Sequence, residues 1–305
     1  MADGANTEVK TRPLWRRIYE FPLVAMLIAI GAYMLALMIS GILDRFVVPA
    51  TPGLSVQVRF GLVALLPLLL VYVLIIARLG ERPHNDFRDA KALRRLLIGL
   101  AAGAVVFSAA TLIAAAMGIY RIVGIGDLSG LFAAFAGSAV FPAVSEEMLF
   151  RGVLFRWLEE FGGSWLALLL TSMLFGAAHL ANPNASVIAA VGIALEAGVM
   201  LGAAYMLTRS LWLPMGIHAA WNFTQGEIYD IPVSGMEVHG VVDARLSGPP
   251  LLTGNGFGLE ASLIAIVVAT LFGLWLLWLA MRKGEVRPHW WAQRRRIQPV
   301  AEVPA

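Results

Sequence analysis

Cysteine is absent from the 305 residues, which excludes disulfides, thiolate metal ligands and a thiol nucleophile. Charge is scarce too: Asp, Glu, Lys and Arg make up 14% of the chain, where a soluble domain carries about a quarter. No histidine is followed by glutamate, so there is no HExxH helix with two zinc ligands one turn apart. GxSxG, the strand-to-helix elbow of a serine hydrolase, is missing as well. A net charge of +3 is too small for a nucleic-acid footprint. No cleavable leader is expected, because the first apolar run, from near Phe21, exceeds a signal h-region and lacks a small-residue cleavage site.

What is present is apolar. Hydrophobic residues make up 59% and the mean hydropathy is +0.76, which predicts an integral membrane protein. Membrane-length runs fall at 21–42, 60–79, 96–119, 129–157, 186–207 and 259–281, with shorter candidates at 164–180 and 211–224. The expected fold is all-α: a polytopic bundle of about eight transmembrane segments, the seventh short enough to be re-entrant. The chain divides into N-terminal helices (1–128), a core holding the buried polar groups (129–225), and an outer loop with the last helix and a basic tail (226–305).

Positive charge orients the bundle. With the N-terminus inside, 18 of the 23 Lys and Arg residues fall in inner loops and tails and 4 in outer loops, with Arg151 left within the membrane. Both termini are therefore expected in the cytoplasm of a multi-pass cell-membrane protein. The tail "RPHWWAQRRR", 287–296, suits an interfacial anchor on an anionic leaflet. The Gly- and Pro-containing stretch 225–258 reads equally as a lid or a linker.

The informative residues are polar groups inside these runs. "SEEMLFRG", 145–152, carries Glu146, Glu147 and Arg151 into apolar sequence, where each charge costs several kcal/mol. Glu147 and Arg151 are four apart and can pair, whereas Glu146 is turned about 100° away. Farther on stand His179 in "FGAAH", Glu196 in "ALEAG", and His218 with Asn222 in "HAAWN". Phe175 lies one turn before His179 and can pack against its ring. At about 1.5 Å per residue from the expected helix ends these groups lie roughly 10–22 Å deep, one layer within the membrane. Each alone has a bland reading: a structural ion pair, a satisfied core histidine, an asparagine joining two helices, a packing carboxylate. Their shared depth predicts a polar chamber instead.

"EEMLFR" (146–151), "FGAAH" (175–179) and "HAAWN" (218–222) resemble the three motifs EExxxR, FxxxH and HxxxN of the CPBP family, the CAAX proteases and bacteriocin-processing enzymes also called Abi. The resemblance covers about residues 130–225. It implies an intramembrane endopeptidase in which Glu146 and His179 activate a water, while His218 and Asn222 stabilise the oxyanion. Glu147, Arg151 and Phe175 are then supporting residues; Glu196, outside the three motifs, is expected to face the chamber close to His179 or His218 and to orient the histidine or contact substrate. Substrates are expected among peptides or membrane proteins, prenylated tails and bacteriocin-type peptides included, with the lipid bilayer as surroundings and no nucleic acid. No cofactor is favoured; the alternative is a zinc ion on Glu146, His179 and His218. Two further readings stand beside the protease: a transporter or proton-coupled carrier, against which the lack of an internal repeat counts, and a non-catalytic regulator of the same family. "GIGD" (124–127) and "YD" (229–230) superficially match intramembrane aspartyl proteases, but in reversed order and in expected outer loops.

Overall fold

The computed structural model describes residues 13–47, 56–127 and 135–289, with single positions 131 and 292. Lys10, Arg12 and most of the Trp/Arg tail beyond His289 lie outside the described residues.

Helices run α1 (Leu14–Tyr19), α2 (Pro22–Val47), α3 (Val56–Leu74) and α4 (Ala92–Ala116). After strand β1 (Tyr120–Ile125) come α5 (Phe141–Glu147), α6 (Arg156–Ala178), α7 (Val187–Ile193), α8 (Val199–Thr208) and α9 (Trp212–Phe223). Strand β2 (Val242–Leu246), a turn of helix α10 (Pro250–Thr253) and α11 (Leu263–Arg282) complete the chain. Among the described residues, helix falls within each of the eight expected segments. Among the described residues five helices are long and apolar enough to cross a membrane. One is the 47-residue run Phe135–Ala181, which takes in two expected segments and is broken at Gly163, at φ 84°. The protein is a helical membrane bundle.

Many large apolar side chains face outward along α2, α4 and α11, among them Leu27, Leu112 and Leu271. Lipid is the solvent such a surface requires. Inside, small residues let helices approach: a Cβ on Gly99 of α4 would stand 2.5 Å from the Leu213 carbonyl oxygen of α9, and Gly103, one turn on, meets Ile217 in the same way. This GxxxG face seats α9, and with it His218 and Asn222, against α4.

Beside the helices lies one two-stranded antiparallel ribbon, pairing Tyr120 with Leu246 through Ile125 with Val242. It ties the end of α4 to the long connection before α11. That connection is neither a bare linker nor a detached lid. Asp230 accepts backbone N–H bonds from Gly240 (3.0 Å) and Ala244 (2.9 Å), and Ser234 and Glu260 reach the interior.

Candidate functional site

The first acid pair lies where α5 passes into a π-helical stretch, Met148–Phe155. Glu147 and Arg151 are fully buried and joined at 2.8 Å. Arg151 also donates through Nη2 to the carbonyls of Ala197 and Gly198, 3.3 Å each, and its guanidinium lies 4.7 Å over the Phe175 ring. Glu147 has a second task that sequence spacing did not show: its Oε1 is 3.1 Å from His218 Nδ1. An ionised carboxylate accepts only, so Nδ1 carries the proton and Nε2 faces the other way. There Glu146 Oε2 stands 4.0 Å away. Glu146 is one-third exposed, and its Oε2 has no hydrogen-bond partner. The Tyr33 hydroxyl of α2 donates to the Ser145 carbonyl at 2.9 Å, fixing the backbone just before the pair.

His179 closes α6. Its Nδ1 is 2.7 Å from the Phe175 carbonyl. A carbonyl can only accept, so Nδ1 donates and a neutral ring presents Nε2 as an acceptor. Phe175 packs at 4.9 Å from the His179 ring and 6.2 Å from that of His218. This one phenylalanine therefore separates and positions both histidines and caps Arg151. Asn222, one turn beyond His218, donates to the Ser138 carbonyl at 3.3 Å.

His179, His218, Asn222 and Glu196 line one cavity of about 20 Å³, floored by Phe175 and Trp221 and reached from outside by Ser234 and Glu260. That is room for about one water. Glu146 does not line this cavity but stands 4.0 Å from His218, which does. Glu196 does face this cavity, yet neither of its oxygens has a hydrogen-bond partner, and it bonds neither histidine. A larger cavity, about 590 Å³, is lined by Arg82, Arg156, Arg209 and Glu159. Its arginines hold the chain: Arg156 donates to the carbonyls of His84 and Arg82 at 3.0 Å, and Arg209 pairs with Glu159 at 2.6 Å. We place the chemistry in the smaller one.

Residues 128–224, about a third of the chain, match the family model for Rce1-like, type II CAAX prenyl endopeptidases. That stretch is similar to a CAAX-protease domain. It contains all three motifs and ends just past Asn222. No curated protein and no solved structure matches the chain.

Among the described residues no three His, Asp or Glu side chains are arranged to hold a metal ion. The Nδ1 atoms of His179 and His218 are engaged by Phe175 and Glu147, which leaves each Nε2 as the ring nitrogen open to a proton, a water or a metal.

The cavity's Ser234 and Glu260 escaped the sequence reading. Ser234 stands in a loop without periodicity and gave no signal. Glu260 falls inside the expected run 259–281, but so near its start that it reads as a span-end charge. An acid at the head of an apolar run, preceded by "GFG", was the available clue.

Proposed function

We propose that this protein is an intramembrane endopeptidase of the CAAX-protease kind. Its peptide or membrane-protein substrate is cut by water that Glu146 and His179 activate. The observation that carries the reading is Glu146 held 4.0 Å from His218 Nε2, beside a cavity shared by His179, His218 and Asn222.

Glu146 has an oxygen free to take a proton from the attacking water, and His179 presents Nε2 to the same water. As the carbonyl carbon becomes tetrahedral, negative charge grows on its oxygen. His218, protonated on both nitrogens, and the Asn222 amide then donate to that oxygen. Each such donor is worth about 3–4 kcal/mol in a dry site. Glu147 holds His218 in the orientation and charge state this requires, much as a buried carboxylate steadies a catalytic imidazolium. No metal takes part in this scheme. The termini face the cytoplasm, as the arginine distribution requires, and the substrate is a prenylated C-terminal tail or another peptide reaching the site from the membrane.

The test is hydrolysis of a farnesylated CAAX-type peptide by the purified protein in proteoliposomes. Wild type should release the C-terminal fragment, and Glu146→Gln should release none while unfolding at the wild-type midpoint. A Glu146→Gln variant as active as wild type, or ion flux through wild-type proteoliposomes in place of hydrolysis, would overturn the reading.

A further inference from the structure

Glu196 and Glu260 do not belong to the three motifs, yet they meet at the same cavity from opposite directions. Glu196 lies in the π-helical stretch Ala194–Gly198 between α7 and α8, and Glu260 in the short turn before α11. Their relative exposures are 1% and 3%. Glu260 accepts the backbone N–H of Ser234. Glu196 accepts nothing with either oxygen.

No Lys or Arg lines the cavity. The ionisable groups around Glu196 are Glu260, His179 and His218 at the cavity wall. Arg151, reaching in from Met148–Phe155, spends its Nη2 on the carbonyls of Ala197 and Gly198. Two carboxylates facing one water-sized space without a counter-cation cannot both stay ionised, because desolvation and mutual repulsion favour retention of a proton. Glu260 lies outside the spanning helix Leu263–Arg282, and burial pushes its carboxyl up to about 7.

We propose that Glu196 and Glu260 share one proton and form a main-chain-binding subsite for the substrate peptide, next to the residues that cut it. A singly protonated pair offers one O–H donor and one carboxylate acceptor. A residue in extended conformation presents the matching acceptor and donor, its own C=O and N–H, along one edge. In the free enzyme the cavity that both acids line has room for about one water; in the complex the edge of an extended residue takes its place. The contact is to backbone, so it selects an extended peptide at this position whatever its side chain. The inference rests on the protease reading above, but the protonation state of the pair can be tested without any substrate.

Two measurements on the full-length protein in lipid nanodiscs decide it. Infrared spectroscopy should show a buried protonated-carboxyl C=O band in wild type that is lost or shifted in Glu196→Gln and in Glu260→Gln. With the farnesylated CAAX-type peptide as probe, Glu196→Leu should raise KM by about tenfold or more, the scale of a lost charge-assisted hydrogen bond, with a smaller change in kcat. Glu196→Gln keeps a donor and an acceptor and should restore KM to within about threefold of wild type. A wild-type spectrum without that band, or a Glu196→Leu KM equal to wild type, overturns the proposal. If wild type leaves the probe uncleaved, the failure lies with the protease reading. The dissociation constant of the intact probe then replaces KM, and the spectra still decide the pair.

Discussion

Replacing Glu147 by Gln keeps shape and removes one buried charge, which isolates what that charge supports. In the native protein Glu147 Oε1 takes Arg151 Nη1 at 2.8 Å and faces His218 Nδ1 at 3.1 Å. Without the charge, Arg151 stays fully buried with two carbonyl contacts at 3.3 Å and no partner for Nε. Breaking one side of a buried pair costs about 3–5 kcal/mol. A variant with both members apolar, Glu147→Leu with Arg151→Met, avoids the stranded cation; such replacements are neutral or stabilising by about 1–4 kcal/mol. Against that stands an unpartnered His218 Nδ1, at about 1–3 kcal/mol, so its stability should return to within about 2 kcal/mol of wild type. Hydrolysis should not return, because nothing then orients His218. Unfolding titrations in mixed micelles, with peptide hydrolysis on the same preparations, separate the two effects. Glu147→Gln within about 0.5 kcal/mol of wild type, the range of an inconsequential substitution, would refute the stability argument. A double variant regaining activity together with stability would refute the orienting role.

The geometry bears on metal content and on helix packing as well. Strong chelators should leave hydrolysis intact and the purified protein should carry zinc well below one ion per chain, as metal analysis of the same sample would show; activity that returns only with added zinc contradicts the scheme. Gly99→Leu drives a side chain into the Leu213 carbonyl and should cost about 1–3 kcal/mol and most of the activity, by displacing α9. Leu97→Ala, on an outward-facing position of the same helix, should change neither by comparison.

Much of this arrangement could be read in the sequence because lipid penalises charge so heavily. In an apolar run every Glu, His or Asn needs a reason, and helical spacing then says which of them share a face. Glu147–Arg151 and Phe175–His179 came from that rule and are joined in the structure. The rule works only within one helix. That Glu147 also serves His218, 71 positions away, depends on how α5 and α9 cross, and the local pattern holds no trace of it. Nor did spacing show the glycines of α4: Gly99 and Gly103 look like ordinary members of an apolar helix until α9 lies against them.

The helices themselves depart from the 3.6-residue period just where the polar residues sit. Met148–Phe155 holds Arg151, Ala194–Gly198 holds Glu196, and Thr224–Ile228 comes directly after α9 with its Asn222, all three π-helical. A wider turn lengthens the hydrogen-bonded ring by one residue and rotates every later side chain of the helix about its axis, a device frequent at functional sites. An ideal-helix projection therefore places these side chains increasingly wrongly in direction. Glu196 illustrates the consequence: its place with a second acid, Glu260, at one water-sized cavity required the π turn and the folded-back outer connection together.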